Sequence, residues 1–194
     1  MTESYIRYDK DKFIALLHEH YCTRVGIIPG TSKSAQDLCT RLADWLYGRR
    51  RRNSLLIKGG VGTGKTTLME ALYDTLRTLT DHDVWTAIKM RVKAYQLNDE
   101  DRLQDGLLDL LSETKGLIID DLGSESPMVK IYGSEIHPME QVVKRRSDAQ
   151  LPTIVTTNLS LESIESQYNS HRMADVLAEY DQMIVTGNSF RRRI

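Results

Sequence analysis

The sequence predicts an α/β fold in which a mostly parallel sheet is covered by helices on both faces. Three observations carry that reading. Short apolar runs alternate with stretches of helical periodicity, one such run opens directly onto a glycine-rich turn followed by a helix, and two others end in polar residues. Strands that alternate with helices call for right-handed crossovers, which give a parallel sheet.

The elements follow in chain order. Phe13, Ile14, Leu16, Leu17 and Tyr21 keep helical spacing behind a capping Asp9, so a short amphipathic helix is expected to end near Cys22. Gly26, Pro29 and Gly30 mark a loop. Ser34 with Asp37 then reads as a capping box for a helix carrying Leu38, Leu42, Trp45 and Leu46, stopped by Gly48. After the run Arg49 to Arg52, the stretch Ser54 to Ile57 has the length and apolarity of a buried strand. A helical stripe runs from Lys65 to Leu79, a strand is expected over Val84 to Ile88, and Leu103, Leu107, Leu110 and Leu111 predict one helix over Asp99 to Glu113. Leu117 to Ile119 form the next strand, terminated by Asp120 and Asp121. Pro127, Gly133 and Pro138 break the chain, and a helix with Ile136, Met139, Val142 and Val143 leads to the strand Thr153 to Thr157. Helical spacing returns over Leu161 to Tyr168 and Arg172 to Leu177, and Met183 to Thr186 is the last strand.

Composition bounds the function. A chain of 194 residues with 40% hydrophobic content is the size of one compact domain. Its formal charge of -1 sets up no global field toward nucleic acid or an anionic membrane, so any DNA contact must use a local patch. Cys22 and Cys39 lie outside any Cys-x-x-Cys spacing and point to a reduced, cytoplasmic protein. The charged N-terminus has no signal-peptide core, and no window approaches the ~18 apolar residues of a membrane helix.

The chemistry begins at Gly59. Gly59, Gly60, Val61, Gly62, Thr63, Gly64, Lys65 and Thr66 fit G-x-x-x-x-G-K-[ST] without a mismatch, with Thr67 following, between a predicted strand and a predicted helix. Glycines let the backbone fold into a nest whose N–H groups reach phosphate oxygens, and the following helix adds its positive end. Lys65 is expected on the β- and γ-phosphates of ATP and the Thr66 hydroxyl on Mg2+. Asp120 and Asp121 end a hydrophobic strand at the edge where open α/β sheets bind ligands, so Asp120 is expected to hold magnesium through its water shell and Asp121 to orient the attacking water. Asn158, after Thr156 and Thr157, is placed to bond the same water or the γ-phosphate.

Together these strand ends resemble the AAA+ P-loop ATPases, and within them the DnaC/DnaI helicase loaders and IstB-like transposition helpers. The resemblance runs from about Arg49 to the C-terminus. It rests on G-G-V-G-T-G-K-T-T-L (Gly59 to Leu68), L-I-I-D-D-L-G (Leu117 to Gly123), P-T-I-V-T-T-N-L (Pro152 to Leu159) and G-N-S-F-R (Gly187 to Arg191). It implies that Gly59 to Thr66 are Walker A, Asp120 and Asp121 Walker B, and Asn158 sensor 1. It also implies a three-layer α/β/α P-loop NTPase with a five-stranded parallel sheet in the order 5-1-4-3-2 and no C-terminal lid domain. Residues 1–50 then form a short helical extension and 51–194 the ATPase core. The implied activity is Mg-dependent ATP hydrolysis serving DNA replication or transposition, with DNA, a replicative helicase or transposase and further copies of the chain as partners. The sequence departs from the family at R-x-x-[DS]-R, where Arg172 and Asp175 are kept but Val176 replaces the usual finger arginine, which leaves Arg172 or Arg191 to take its place.

Other constellations carry less. Arg49 to Arg52, Lys89 with Arg91 and Lys93, Lys144 to Arg146 and Arg191 to Arg193 are basic clusters that bind DNA only if they converge beside stacking rings such as Tyr95 or Tyr132. His18 and Cys22 read as helix surface and core, with no second ligand pair. Two competing functions remain open: a nucleotide-switched binding module with little hydrolysis, motivated by Val176, and a small P-loop kinase, disfavoured because Asp120, Asp121 and Asn158 suit a water nucleophile.

Overall fold

The computed structural model describes residues 8–48, 53–79 and 88–186. They form two compact units, one holding the first three helices and the other holding the strands with the remaining helices.

The helical unit consists of α1 (Lys10–Val25), α2 (Lys33–Tyr47) and α3 (Lys65–Thr78). Asp9 caps α1 as its position implies, its carboxylate accepting the Lys12 N–H at 2.9 Å. The helix runs past Cys22 and stops where Gly26 turns left-handed, φ 72°. Ser32, two residues before the expected Ser34, caps α2 by accepting the Ala35 N–H at 3.3 Å. Phe13 and Leu17 of α1, Leu42 and Leu46 of α2, and Leu68 and Leu72 of α3 are all fully buried, and α1 packs against both other helices. Polar ties reinforce the α1–α3 contact: His20 Nδ1 lies 3.0 Å from Thr75 Oγ1, and the Arg24 guanidinium pairs with Glu70 and Asp74. His18 is buried, not a surface residue, because its Nε2 turns inward to within 3.2 Å of Cys22 Sγ.

The other unit is built on β1 (Leu55–Gly59), β2 (Ile88–Lys93) and β3 (Gly116–Leu122), the hairpin β4 (Val129–Ile131) and β5 (Ser134–Ile136), β6 (Thr153–Thr157) and β7 (Asp181–Val185). The main sheet has the order β2-β3-β6-β1-β7, which, counting only its own five strands along the chain, is 5-1-4-3-2. Central β6 runs parallel to both neighbours, with Val155 opposite Leu56 and Ile154 opposite Ile118. Leu55 to Ile57, Leu117 to Ile119 and Ile154 with Val155 are buried, as strands covered on both faces require. Leu56, Leu117, Ile119 and Val155 share one core with Leu107, Leu111, Val142, Val143, Ile164 and Leu177. These come from α5 (Leu107–Glu113), α6 (Pro138–Asp148), α7 (Leu161–Tyr168) and α8 (His171–Ala178).

Several expectations shift. The helix expected over Asp99 to Glu113 is two, α4 (Glu100–Gln104) and α5, because Gly106 adopts φ 86°, where a helix cannot continue. The second sheet strand is described over Ile88–Lys93 and so runs past the expected end at Ile88, while residues 84–87 of the expected strand lie outside the described residues. The stretch from Pro127 to Pro138 folds as the β4–β5 hairpin, turned by Tyr132 (φ 49°) and Gly133 (φ 81°), so Ile136 belongs to a strand and not to α6. Arg146 is not part of a solvated basic patch. It is fully buried, donating to the carbonyls of Leu111, Thr114 and Pro152 at 2.7, 2.6 and 2.8 Å and to Thr153 Oγ1 at 2.8 Å, and burial lowers its pKa to about 10. Arg49 to Arg52, His82, the Lys89 side chain and the tail with Arg191 to Arg193 lie outside the described residues.

Candidate functional site

The glycine-rich turn leaves β1 at Gly59 and enters α3 at Lys65. Gly62 and Gly64 have φ of 81° and 90°, left-handed backbone that a Cβ strains, so glycine is needed at both. Gly60 anchors the turn: its carbonyl accepts the Thr63 N–H at 3.4 Å, the Thr63 hydroxyl at 2.9 Å and the Lys65 ammonium at 2.9 Å. The Leu68 N–H already bonds Gly64 O at 2.9 Å, so α3 begins without a frayed turn and presents its positive end to the loop. Lys65 is buried, Thr66 and Thr67 are half-buried in the first helical turn, and Val61 is exposed. The ammonium thus lies folded over its own loop, donating to a backbone oxygen.

The acidic pair sits inside β3, not beyond its end. Ile119 stands opposite Val155 and Leu122 opposite Thr157, so Asp120 and Asp121 together face Thr156 in a β-bulge. The bulge separates the two carboxylates. Asp120 is fully buried, whereas Asp121, at φ 66°, is turned out to solvent. Thr156 fastens the arrangement, donating its hydroxyl to Asp120 Oδ1 at 2.7 Å and accepting the Asp121 N–H at 2.9 Å. The second Asp120 oxygen receives an Arg91 N–H from β2 at 3.2 Å, an ion pair whose acid is sealed from water and whose guanidinium is largely covered.

The loop after β3 is also held. Gly123 donates its N–H to Glu125 Oε2 at 3.0 Å and accepts from Gln167 Nε2 at 3.0 Å, while the Tyr168 hydroxyl donates to Glu125 Oε1. Burial pushes the Glu125 carboxyl above its ordinary range, the tyrosine bond opposing this. Gly123 is required for shape: at φ 99°, an added Cβ would stand 2.4 Å from Leu159 Cδ1.

Asn158 follows β6 by one residue and is exposed, on the same strand ends as Asp120 and Asp121. Arg172 is exposed in the first turn of α8, outside the hydrogen-bonded cluster around Asp120. Val176, one helical turn on, packs against the core, so an arginine at that position would need to leave an apolar setting. The sequence did not single out Arg91 as a partner of Asp120, and the only signal was its place between Lys89 and Lys93 at strand spacing. The Thr66 hydroxyl and the Asp120 carboxylate are each hard oxygen donors of the kind magnesium takes, and Arg91 is the cation paired with Asp120.

No protein-family model and no curated protein matches the sequence. Solved structures do match. A DnaI structure superposes with TM-score 0.57 at 17% identity, covering 95% of both chains. The DnaC helicase loader gives 0.54 at 18%, covering 80% of this chain and 92% of that one. AMPPCP-bound DnaA from Aquifex aeolicus gives 0.56 at 15%, covering 83% and 50%. With its five-stranded parallel sheet and flanking helices, this chain has the three-layer α/β/α fold of the AAA+ P-loop domains that its motifs resemble.

Proposed function

We propose that this chain is a magnesium-dependent ATPase that assists DNA replication or transposition, assembling with further copies of itself when ATP binds. The observation that carries the proposal is the turn from Gly60 to Gly64, with two left-handed glycines and Lys65 folded over it at the start of α3. A strand, a glycine nest and a helix N-terminus in that succession form an anion site whose ligand is a polyphosphate.

Each side chain takes a role that its setting supports. Lys65 exchanges its bond to Gly60 O for the β- and γ-phosphates. The Thr66 hydroxyl and the Asp120 carboxylate hold the magnesium, which neutralises phosphate charge when bound. Asp121, turned out by the bulge, is accessible to a water and orients it, and the exposed Asn158 amide bonds that water or the γ-phosphate. Arg172, exposed on α8, reaches the site of a neighbouring copy and supplies the cation absent at Val176. DNA and a replicative helicase are the partners that accord with the helicase-loader likeness, and a transposase is the partner that the motif resemblance implies.

A second reading, a nucleotide-switched module that clamps ATP and hydrolyses it slowly, draws on Val176 packing into the core where the finger arginine would stand. Light scattering with and without ATP and a short oligonucleotide, run alongside phosphate release, separates the two. ATP-driven growth in mass with turnover supports the ATPase; growth without turnover supports the switch; no change in mass or turnover under any condition overturns both.

A further inference from the structure

Asp120 is the most enclosed acid of the sheet edge among the described residues, and three strands contribute to its environment. β3 carries it, β6 supplies Thr156 to Oδ1, and β2 supplies Arg91 to Oδ2 at 3.2 Å. A carboxylate with no exposed surface is costly unless its charge is balanced, and the Arg91 guanidinium provides that balance. A divalent cation drawn to the same carboxylate meets a fixed positive charge on the same group. Two cations that share one acid exclude each other in proportion to how dry the site is.

We propose that Arg91 is a built-in competitor of magnesium at Asp120, so that Mg2+ engages this carboxylate only by displacing the guanidinium. This rests on the reading that the chain binds ATP with magnesium. Arg91 is a positioning residue, acting through Asp120. Its consequence is a raised magnesium threshold: nucleotide enters the P-loop at low Mg2+, and the metal-dependent tightening comes only at higher concentration. Met90 and Val92, the residues on either side of Arg91 in β2, pack on the core, so Arg91 belongs to the strand face opposite that core and not to its packing.

The test is calorimetric titration of ATP into the full chain over a magnesium series, from chelated to saturating, in wild type and Arg91→Met. The magnesium concentration that gives half of the tightening is expected to fall by about tenfold or more in Arg91→Met, a coupling of the size that sites sharing a charge display. Arg91→Lys, which keeps a cation, stays near wild type. Should Arg91→Met not fold, Arg91→Gln, which keeps a donor for Oδ2 and drops the charge, carries the same expectation. A purely structural Arg91 would change the melting temperature of the ligand-free protein and leave the magnesium midpoint in place; that result, with ATP uptake intact, overturns the proposal alone. No ATP uptake in wild type at any magnesium concentration overturns the nucleotide reading and this inference with it.

Discussion

The Thr156 hydroxyl donates to Asp120 Oδ1 at 2.7 Å while accepting the N–H of the next residue, Asp121, at 2.9 Å, so one β6 side chain holds both members of the acidic pair in their opposite orientations. Replacing Thr156 by valine keeps the shape and removes both bonds, leaving a buried carboxylate and a backbone donor short of a partner. Destabilisation of about 1–3 kcal/mol is expected by urea unfolding, with Thr156→Ser close to wild type. An unchanged midpoint in Thr156→Val would show that the hydroxyl does not hold the bulge.

Arg146 should be among the most sensitive positions outside the site. Its guanidinium donates to three backbone carbonyls and Thr153 Oγ1 without exposure to water, and Arg146→Met takes that donor from each of them, the Pro152 carbonyl keeping the Leu117 N–H. A loss of about 3–5 kcal/mol in chemical denaturation is expected, the size seen when a buried charged network is broken. Binding of DNA in any variant that stays folded is expected to be unaffected, because the side chain does not reach the surface; weaker DNA binding at full stability would refute this placement.

Glu125 gives a pH signature. Burial raises its folded-state pKa above the ordinary 4.5, so the folded chain holds a proton that the unfolded chain releases. Its contribution to stability is therefore fully present below about 4.5 and is lost as pH rises through the raised value. Subtracting the stability of Glu125→Gln from that of wild type across this window should leave a difference that falls with rising pH. A flat difference would mean that the carboxyl titrates alike in both states.

Much of this architecture can be read in the residues. The strand Thr153 to Thr157 and the helix Leu161 to Tyr168 appear with the expected bounds because each is a clean pattern between polar breakers. The glycine turn is legible because glycines at that spacing, between a strand and a helix, mark positions that take left-handed backbone, as Gly62 and Gly64 do. The β4–β5 hairpin escaped because three-residue strands are too short to show alternation. The break at Gly106 was hidden by leucines that keep their periodicity across it. The Asp120 environment is a matter of tertiary register: Arg91 and Thr156 lie far away along the chain, and the bulge that brings two acids opposite one threonine depends on how β3 pairs with β6.

Arg172→Ala should separate binding from turnover. Its exposed place on α8 is not part of the network that holds Asp120, so ATP affinity is expected to change by less than about twofold, while phosphate release in assembled protein falls by about a hundredfold or more, the range of a finger arginine. Steady-state hydrolysis beside equilibrium binding checks this. Equal turnover in the two proteins would remove Arg172 from catalysis.

The most direct test of the account is calorimetric binding of Mg-ATP to wild type and Lys65→Ala, each first shown to be folded. Lys65 donates to Gly60 O in its own loop and is not part of the hydrophobic core, so its loss should leave the chain folded, with a cost of about 1 kcal/mol for that bond. Saturable uptake of one ATP per chain by wild type, abolished in Lys65→Ala, is the predicted result. No uptake by folded wild type, or equal uptake by the variant, would contradict the assignment of the Gly60 to Gly64 turn as a triphosphate site.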